Sequence, residues 1–275
     1  MPALVDATGA SLPTDQPRRR IVSLIPSTTE TLCALGLADA LVGVTAYCRE
    51  PAAVTRTKTR IGGEKDPDLE KIRSLAPDLV IANVEENVAA HVETLRQWGL
   101  PVWVTYPRTV DAALAMIRDL GEVTGARAAA TAMLAELQPL VLRTRAEMAT
   151  RRPVKAFYAI WRKPYMTIGP DTYAHDVLAL CGAANVYADA TERYPATTLE
   201  AVAARAPGVI LLPDEPFRFR AAHARDFDAF PEIPAVRERR VLLVDGKPFT
   251  WHGPRLADAL RTLPPLFHPD LHAAA

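Results

Sequence analysis

The residues able to do chemistry in this chain are few, and they fall in short segments that follow apolar runs. Tyr47, Tyr106, Trp161 and Trp251 offer aromatic faces on which a flat, extended ligand can stack, with large contact area and little loss of side-chain entropy. Polar groups stand beside them: Ser27 and Thr28 after Pro26, Asn83 with Glu85 and Glu86, Arg162, Glu215 with Phe217, and the run Trp251-His252-Gly253-Pro254-Arg255. Such a set orients a bound molecule. No matching catalytic apparatus accompanies it: the sequence contains no G-x-G-x-x-G after its first apolar run, and no G-x-x-x-x-G-K-[ST], H-E-x-x-H or G-x-S-x-G. An enzyme is therefore not expected.

His252 is the one histidine with a suggestive address. A loop imidazole between Trp251 and Gly253 has two readings, an axial ligand to a metal centre carried by the bound molecule or an ordinary hydrogen-bonding residue. The other histidines do not cluster: His91 lies on a helical pattern, and His268 and His272 lie near the end. A bare metal ion held by the protein is not expected. Cys33, Cys48 and Cys181 form no C-x-x-C pair, which argues against a zinc knuckle or a disulfide framework; Cys33 and Cys181 read as small buried thiols.

Composition narrows the classes further. With 49% hydrophobic and 23% charged residues, the 275-residue chain has the balance of a globular protein of about two domains. Thirty-two basic residues offset 32 acidic ones, so the field of the whole molecule steers neither nucleic acid nor an anionic membrane towards it. The start, Met1-Pro2-Ala3-Leu4-Val5-Asp6, has neither the charged nor the apolar region of an export signal, and the longest apolar stretch, Leu32 to Val44, is broken by Asp39. A soluble chain without an export address is the expectation.

The elements that must position these residues alternate. After a polar segment over residues 1–20, apolar runs suited to buried strands occur at Ile21–Ile25, Leu41–Thr45, Asp78–Ala82 and Val102–Tyr106. Helices are predicted from Ser27, with Ser27 and Glu30 as a capping box, from Asp66-Pro67 with Asp66 as N-cap, near Asn87–Trp98 and at Val110–Leu120. One long helical pattern then covers about Ala126–Thr150, with Pro139 inside it. The alternation restarts with strands at Val154–Ile160, Val209–Leu212 and Val241–Val244, a helix at Thr172–Leu180 and a last helix after Gly253-Pro254. Strands alternating with helices predict an α/β fold with parallel sheets.

An internal echo predicts two lobes. Leu69–Ala82 reads LEKIRSLAPDLVIA and Leu199–Leu212 reads LEAVAARAPGVILL, so Leu-Glu opens both, Ala-Pro recurs, and an apolar strand follows each time. TLCALG at Thr31–Gly36 is loosely matched by DVLALCG at Asp176–Gly182. The organisation this predicts is an N-terminal Rossmann-like lobe over 1–122, a connecting helix over 123–152 and a second such lobe over 153–275.

The segments RIVSLIPSTTETLCALGLADALVGVT, Tyr47-Cys48 and DPDLEKIRSLAPDLVIAN resemble the first lobe of class III substrate-binding proteins, the cobalamin, ferric-siderophore and haem receptors of ABC importers. WRKPYMTIGPDTYAHDVLALCGAANV, the LEAVAARAP unit and DGKPFTWHGPRLADAL resemble the second lobe, and the likeness runs over about residues 4–265, nearest to the vitamin B12-binding branch. It implies two lobes joined by one stiff helix, little closure, and a metal-chelate ligand such as cobalamin held in a preformed inter-lobe cleft as cargo rather than cofactor. A ferric siderophore or haem is the alternative ligand. It further implies a monomer, no nucleic acid, and a periplasmic or cell-surface location; with no signal visible, a cytoplasmic corrinoid carrier or sensor stays open.

Because open α/β sheets bind ligands beyond the carboxyl ends of their strands, the ligand set expected is Ser27, Thr28, Tyr47, Asn83, Glu85, Glu86, Tyr106, Trp161, Arg162, Glu215, Phe217, Trp251, His252 and Arg255. Plainer roles stand beside these. Ser27 also reads as an N-cap, Tyr47 and Trp161 as strand-end packing, Glu85 and Glu86 as the acidic first turn of the following helix, and Arg162 and Arg255 as partners of nearby carboxylates such as Glu215. For Glu70 and Glu200, the second residues of the repeated Leu-Glu units, the resemblance implies docking into arginine pockets of the permease. Their plainer role is that of first-turn glutamates, with Thr197 to Glu200 as a second capping box.

Overall fold

The computed structural model describes residues 3–14 and 16–274, with side chains described through Leu271. The chain divides into two compact units. One comprises the chain through Pro107 with Asp111–Gln138 and His252–Pro254; the other comprises Arg108–Val110, Pro139–Trp251 and the chain from Arg255.

In the first unit, strands β1 (Ala3–Val5) and β2 (Ser11–Pro13) form an antiparallel hairpin where the sequence reads only as a polar segment. Asp6 explains it: one carboxylate oxygen accepts from the backbone N–H groups of Thr8 and Ala10, and the other from Val104 N–H and the Arg96 guanidinium. A short polar link is thereby tied to the main sheet. That sheet contains β3 (Ile21–Ser23), β4 (Leu41–Val44), β5 (Thr59–Arg60), β6 (Leu79–Asn83) and β7 (Val102–Thr105), in the order β5-β4-β3-β6-β7, all parallel. Every residue of β3, β6 and β7 is buried, as continuous apolar runs covered on both faces require. The order reverses between β3 and β6, the switch point at which such sheets open a crevice at their carboxyl edge.

Several local predictions shift. The helix after β3 is Pro26–Ala34, with Ile25 as N-cap and no side-chain cap. Pro26 takes the first helical position, so Ser27 is not the N-cap and the capping box with Glu30 does not form. The next helix is Leu69–Ser74, and its N-cap is Asp68, whose side chain accepts from Lys71 N–H, not Asp66. The helix after β6 begins only at Ala89 and has no acidic residue in its first turn, which removes that role from Glu85 and Glu86. The helix Val110–Thr124 runs past Gly121, a residue that disfavours helix on propensity alone. A Cβ at Gly121 would lie 2.4 Å from the Ala130 Cβ, so the glycine is what lets the following helix approach. That helix, Arg127–Met148, is 22 residues and about 33 Å long and continues through Pro139.

The second unit is built on β8 (Val154–Trp161), β9 (Tyr165–Thr167), β10 (Ala183–Asn185), β11 (Ala196–Thr197), β12 (Val209–Pro213) and β13 (Val241–Val244). β10, β8, β12 and β13 are parallel, as expected, but β9 pairs antiparallel with the last residues of β8, and β11 pairs antiparallel with β9. Phe157, Tyr187, Val202, Ile210, Leu212, Phe219 and Phe227 fill one face of it. The helix Tyr173–Leu180 is capped by Thr172 and the helix Leu199–Arg205 by Thr198, which accepts from Ala201 N–H; Thr197 is therefore not a cap. Cys48 and Cys181 are buried, whereas Cys33 is only half-buried.

The internal echo holds in the backbone. Leu69–Ser74 precedes β6 and Leu199–Arg205 precedes β12, and the alanines before the two prolines, Ala76 and Ala206, both adopt a left-handed conformation, φ 44° and 51°. A side chain strains that conformation. Ala76→Gly and Ala206→Gly are therefore each expected to raise stability by about 0.5–1 kcal/mol in chemical denaturation, and no gain would show that the backbone is not left-handed there.

Candidate binding site

Each unit gathers its chemistry-bearing side chains at the carboxyl edge of its own parallel strands. In the first unit, the chain leaving β3 enters the helix Pro26–Ala34 directly and buries Ser27 and Thr28. Thr29, one residue on, is fully buried; its hydroxyl lies 2.9 Å from both the Ser23 hydroxyl and the Ile25 carbonyl and 3.1 Å from the Cys48 sulfur. The chain leaving β4 presents Tyr47, 57% exposed. After β6, Asn83 is buried and spent on the turn: its side chain accepts from Glu85 N–H and donates to the Thr105 hydroxyl, while its own N–H donates to Asn87. That turn presents Val84, Glu85 and Glu86 at the edge. Tyr106, half-buried, follows β7.

Two residues absent from the expected set organise this edge. The Asn87 amide donates to the Leu24 carbonyl at 3.4 Å and the Glu64 carbonyl at 3.1 Å, knotting three loops at the switch point. Glu64, in the loop after β5, accepts from the Thr45 hydroxyl at 3.4 Å. Burial pushes its pKa up to about 7, and nearby Glu86 adds to the rise. Glu86 is raised as well, by loss of solvent around its carboxylate and by Glu85, with Lys65 opposing. The sequence signal for Glu64 is the Gly62-Gly63 pair before it, which marks a tight loop, but the two-residue β5 that places it there is too short to read.

The sign of the Glu64 shift sets a pH dependence. A folded pKa near 7 against an ordinary 4.5 means that the folded protein holds a proton the unfolded chain has released. This contribution is fully present below about pH 4.5 and is lost as pH rises through 7. Glu64→Gln, neutral throughout, is expected to flatten the fall in melting temperature between pH 5 and 8 and to stabilise the protein at pH 8 by about 1 kcal/mol, allowing for the carboxylate's partial exposure. An unchanged slope would show that Glu64 titrates normally.

In the second unit, Trp161 ends β8 at 43% exposure, and Phe217 meets it edge-on at 5.4 Å between centroids. Glu215, after β12, does not pair with Arg162 or Arg255. It accepts from the Trp251 indole N–H at 2.6 Å, burial raises its pKa, and the Trp251 bond opposes the rise. Arg255 lies over the Trp251 ring, 5.0 Å from its centroid, as does the Lys247 ammonium at 5.6 Å. Arg162 instead grips Asp226 through two bonds of 2.6 and 3.0 Å, and Tyr165 donates to the same carboxylate at 2.7 Å. The Arg162 bonds hold Asp226 below the usual carboxylate range. Asp226 is thus a positioning residue for Arg162, hidden in the sequence because it lies 64 residues further along the chain.

His252 is buried with the first unit, and burial lowers its pKa to about 4, so its imidazole is neutral at neutral pH. Its carbonyl accepts from the Thr31 hydroxyl at 3.4 Å. Gly253 follows at φ 98°, where an added Cβ would meet the Thr31 hydroxyl at 2.0 Å; glycine is required for this segment to lie on the helix Pro26–Ala34. Among the described residues, no group of three or more His, Cys, Asp or Glu side chains is arranged to hold a metal ion.

Glu70 and Glu200 occupy matching places, each the second residue of its helix and each exposed. Glu70 pairs with Arg73 at 2.6 Å. Glu200 is held below the usual range, first by its own backbone N–H and then by the Thr198 hydroxyl. No helix among the described residues is long and apolar enough to cross a membrane.

Residues 21–248 match the Periplasmic binding protein family. The vitamin B12-binding protein of Vibrio cholerae serotype O1 is 28% identical over 251 residues, covering 89% of this chain and 87% of the relative. The crystal structure of the periplasmic vitamin B12 binding protein BtuF of Vibrio cholerae superposes with a TM-score of 0.83 at 26% identity, covering 93% of this chain and 98% of that one. The periplasmic heme-binding protein RhuT of Roseiflexus sp. RS-1, in apo form, gives a TM-score of 0.79 at 26% identity over 91% of this chain and 98% of that one.

Proposed function

Since the chain belongs to the Periplasmic binding protein family, we propose that it is the substrate-binding component of an ABC importer and that its cargo is a corrinoid such as cobalamin. The observation that carries this reading is that Tyr47, Tyr106, Trp161 and Trp251 follow the carboxyl ends of parallel strands in the two units, in a chain similar along most of its length to a vitamin B12-binding protein. Aromatic faces suit a macrocycle's flat sides, and the polar groups beside them suit its amide substituents. The protein alters nothing in its cargo. It works as a monomer outside the inner membrane, and Glu70 and Glu200 face the permease.

The roles divide by exposure. Tyr47, Tyr106, Glu85, Glu86, Trp161, Phe217, Trp251 and Arg255 contact the ligand. Ser27, Thr28, Asn83 and His252, all buried, hold the loops that carry those contacts. Arg162 and Glu215 take part with their orientations set by Asp226 and Trp251.

The test is a parallel titration with cobalamin, haem and a ferric hydroxamate, followed by absorbance and tryptophan fluorescence. Saturable one-to-one binding of cobalamin, tighter than of the other two, is expected. Preferential binding of haem would transfer the protein to the function carried by the RhuT name, and silence towards all three would reject a metal-chelate cargo.

A further inference from the structure

A cavity of about 390 Å³ opens beside β4 and β5, lined by Ala46, Arg49, Ala52, Thr55, Arg56 and Arg60. Half of its lining residues are arginines and none is acidic. The net charge of the protein is zero, so this concentration of positive charge is local. Arg49 and Arg56 are exposed and make no ion pair among the described residues. Arg60 is held in place: one of its terminal nitrogens donates to the Thr45 and Cys48 carbonyls, each at 2.7 Å, which leaves its other terminal nitrogen for a further acceptor. Thr55 is fully buried in the same wall, and its hydroxyl oxygen has no hydrogen-bond partner. A buried polar atom without a partner costs stability unless something outside the chain supplies one.

Three guanidinium groups, one of them pinned, and an unpaired hydroxyl together call for a ligand with several acceptor oxygens and more than one negative charge. From this cavity and its unpaired groups, we infer that the protein carries a binding site for a phosphate-class oxyanion, separate from the aromatic residues assigned to the cargo. Arginine forks match phosphate oxygens two at a time, which a single carboxylate satisfies only once. The volume lies within the ~300–1,000 Å³ typical of small-molecule sites, so the phosphate of a small organic molecule fits as well as the free ion.

Isothermal titration at low ionic strength with inorganic phosphate and with glycerol 3-phosphate tests this. One-to-one saturable binding is expected, weakened at least tenfold in the double variant Arg49→Gln/Arg56→Gln and about threefold in Thr55→Val. The two arginines are exposed, so the double variant should melt like the wild type and remain interpretable if Thr55→Val folds poorly. A flotation assay with vesicles of phosphatidylglycerol and phosphatidylcholine separates the sources of the phosphate. Vesicle binding that the double variant loses, without heat from the soluble phosphates, would assign the site to a lipid headgroup. Absence of saturable binding in both assays, or equal binding by wild type and double variant, would overturn the inference. Cobalamin titration of the double variant keeps this outcome distinct from the cargo assignment, because none of these residues is among the proposed cargo contacts.

Discussion

Alanine in place of Trp161 is expected to weaken cobalamin binding about 10–30-fold, and alanine in place of Tyr47 by a similar factor, with little change in melting temperature. Both rings are about half exposed, at 43% and 57%, so truncation opens little cavity in the folded protein. A ligand that covers such a ring removes its remaining apolar surface from water, and the area rule of about 25 cal/mol per Å² makes this worth roughly 1.5–2 kcal/mol per ring. Trp161 should be the more sensitive, because Phe217 already braces it edge-on and less side-chain freedom is lost on binding. Trp161→Phe should recover most of the affinity by retaining a flat face. Equilibrium titration followed by cobalamin absorbance reads all three variants. Wild-type affinity in Trp161→Ala would remove that ring from the ligand site.

The second large effect concerns delivery rather than capture. Reversing the charge at both repeated glutamates, Glu70→Arg with Glu200→Arg, is expected to reduce association with the cognate permease at least 100-fold while cobalamin affinity stays at the wild-type value. Both carboxylates sit at the second position of a short exposed helix, one in each unit, so a partner with matching cationic sites meets two equivalent anchors. Coupling of close interfacial charges reaches about 1.5–7 kcal/mol per pair, and replacing attraction by repulsion at both sites exceeds what the remaining surface can offset. Docking of the wild type should also weaken with added salt. Association measured with the permease in nanodiscs decides the matter, and undiminished docking by the double variant would leave the glutamates as helix-end residues only.

Sequence alone determined the alternation of strands and helices, the long helix, the internal repeat, and the segments that reach the carboxyl edges. Those properties follow from periodicity and from residues that punctuate the chain locally, such as the recurring Ala-Pro before β6 and β12. Tertiary structure decided which member of each polar cluster does which task. Pro26 claimed the helix start that Ser27 was expected to cap, and Asn83 turned inward to hold its own loop. Arg162 found Asp226, and Glu215 found Trp251, partners that lie 64 and 36 residues away. Glu64 acquired its unusual affinity for a proton from burial. Local propensity acts between near neighbours in the chain, whereas desolvation and pairing depend on what the fold brings through space, and no spacing in the sequence records that.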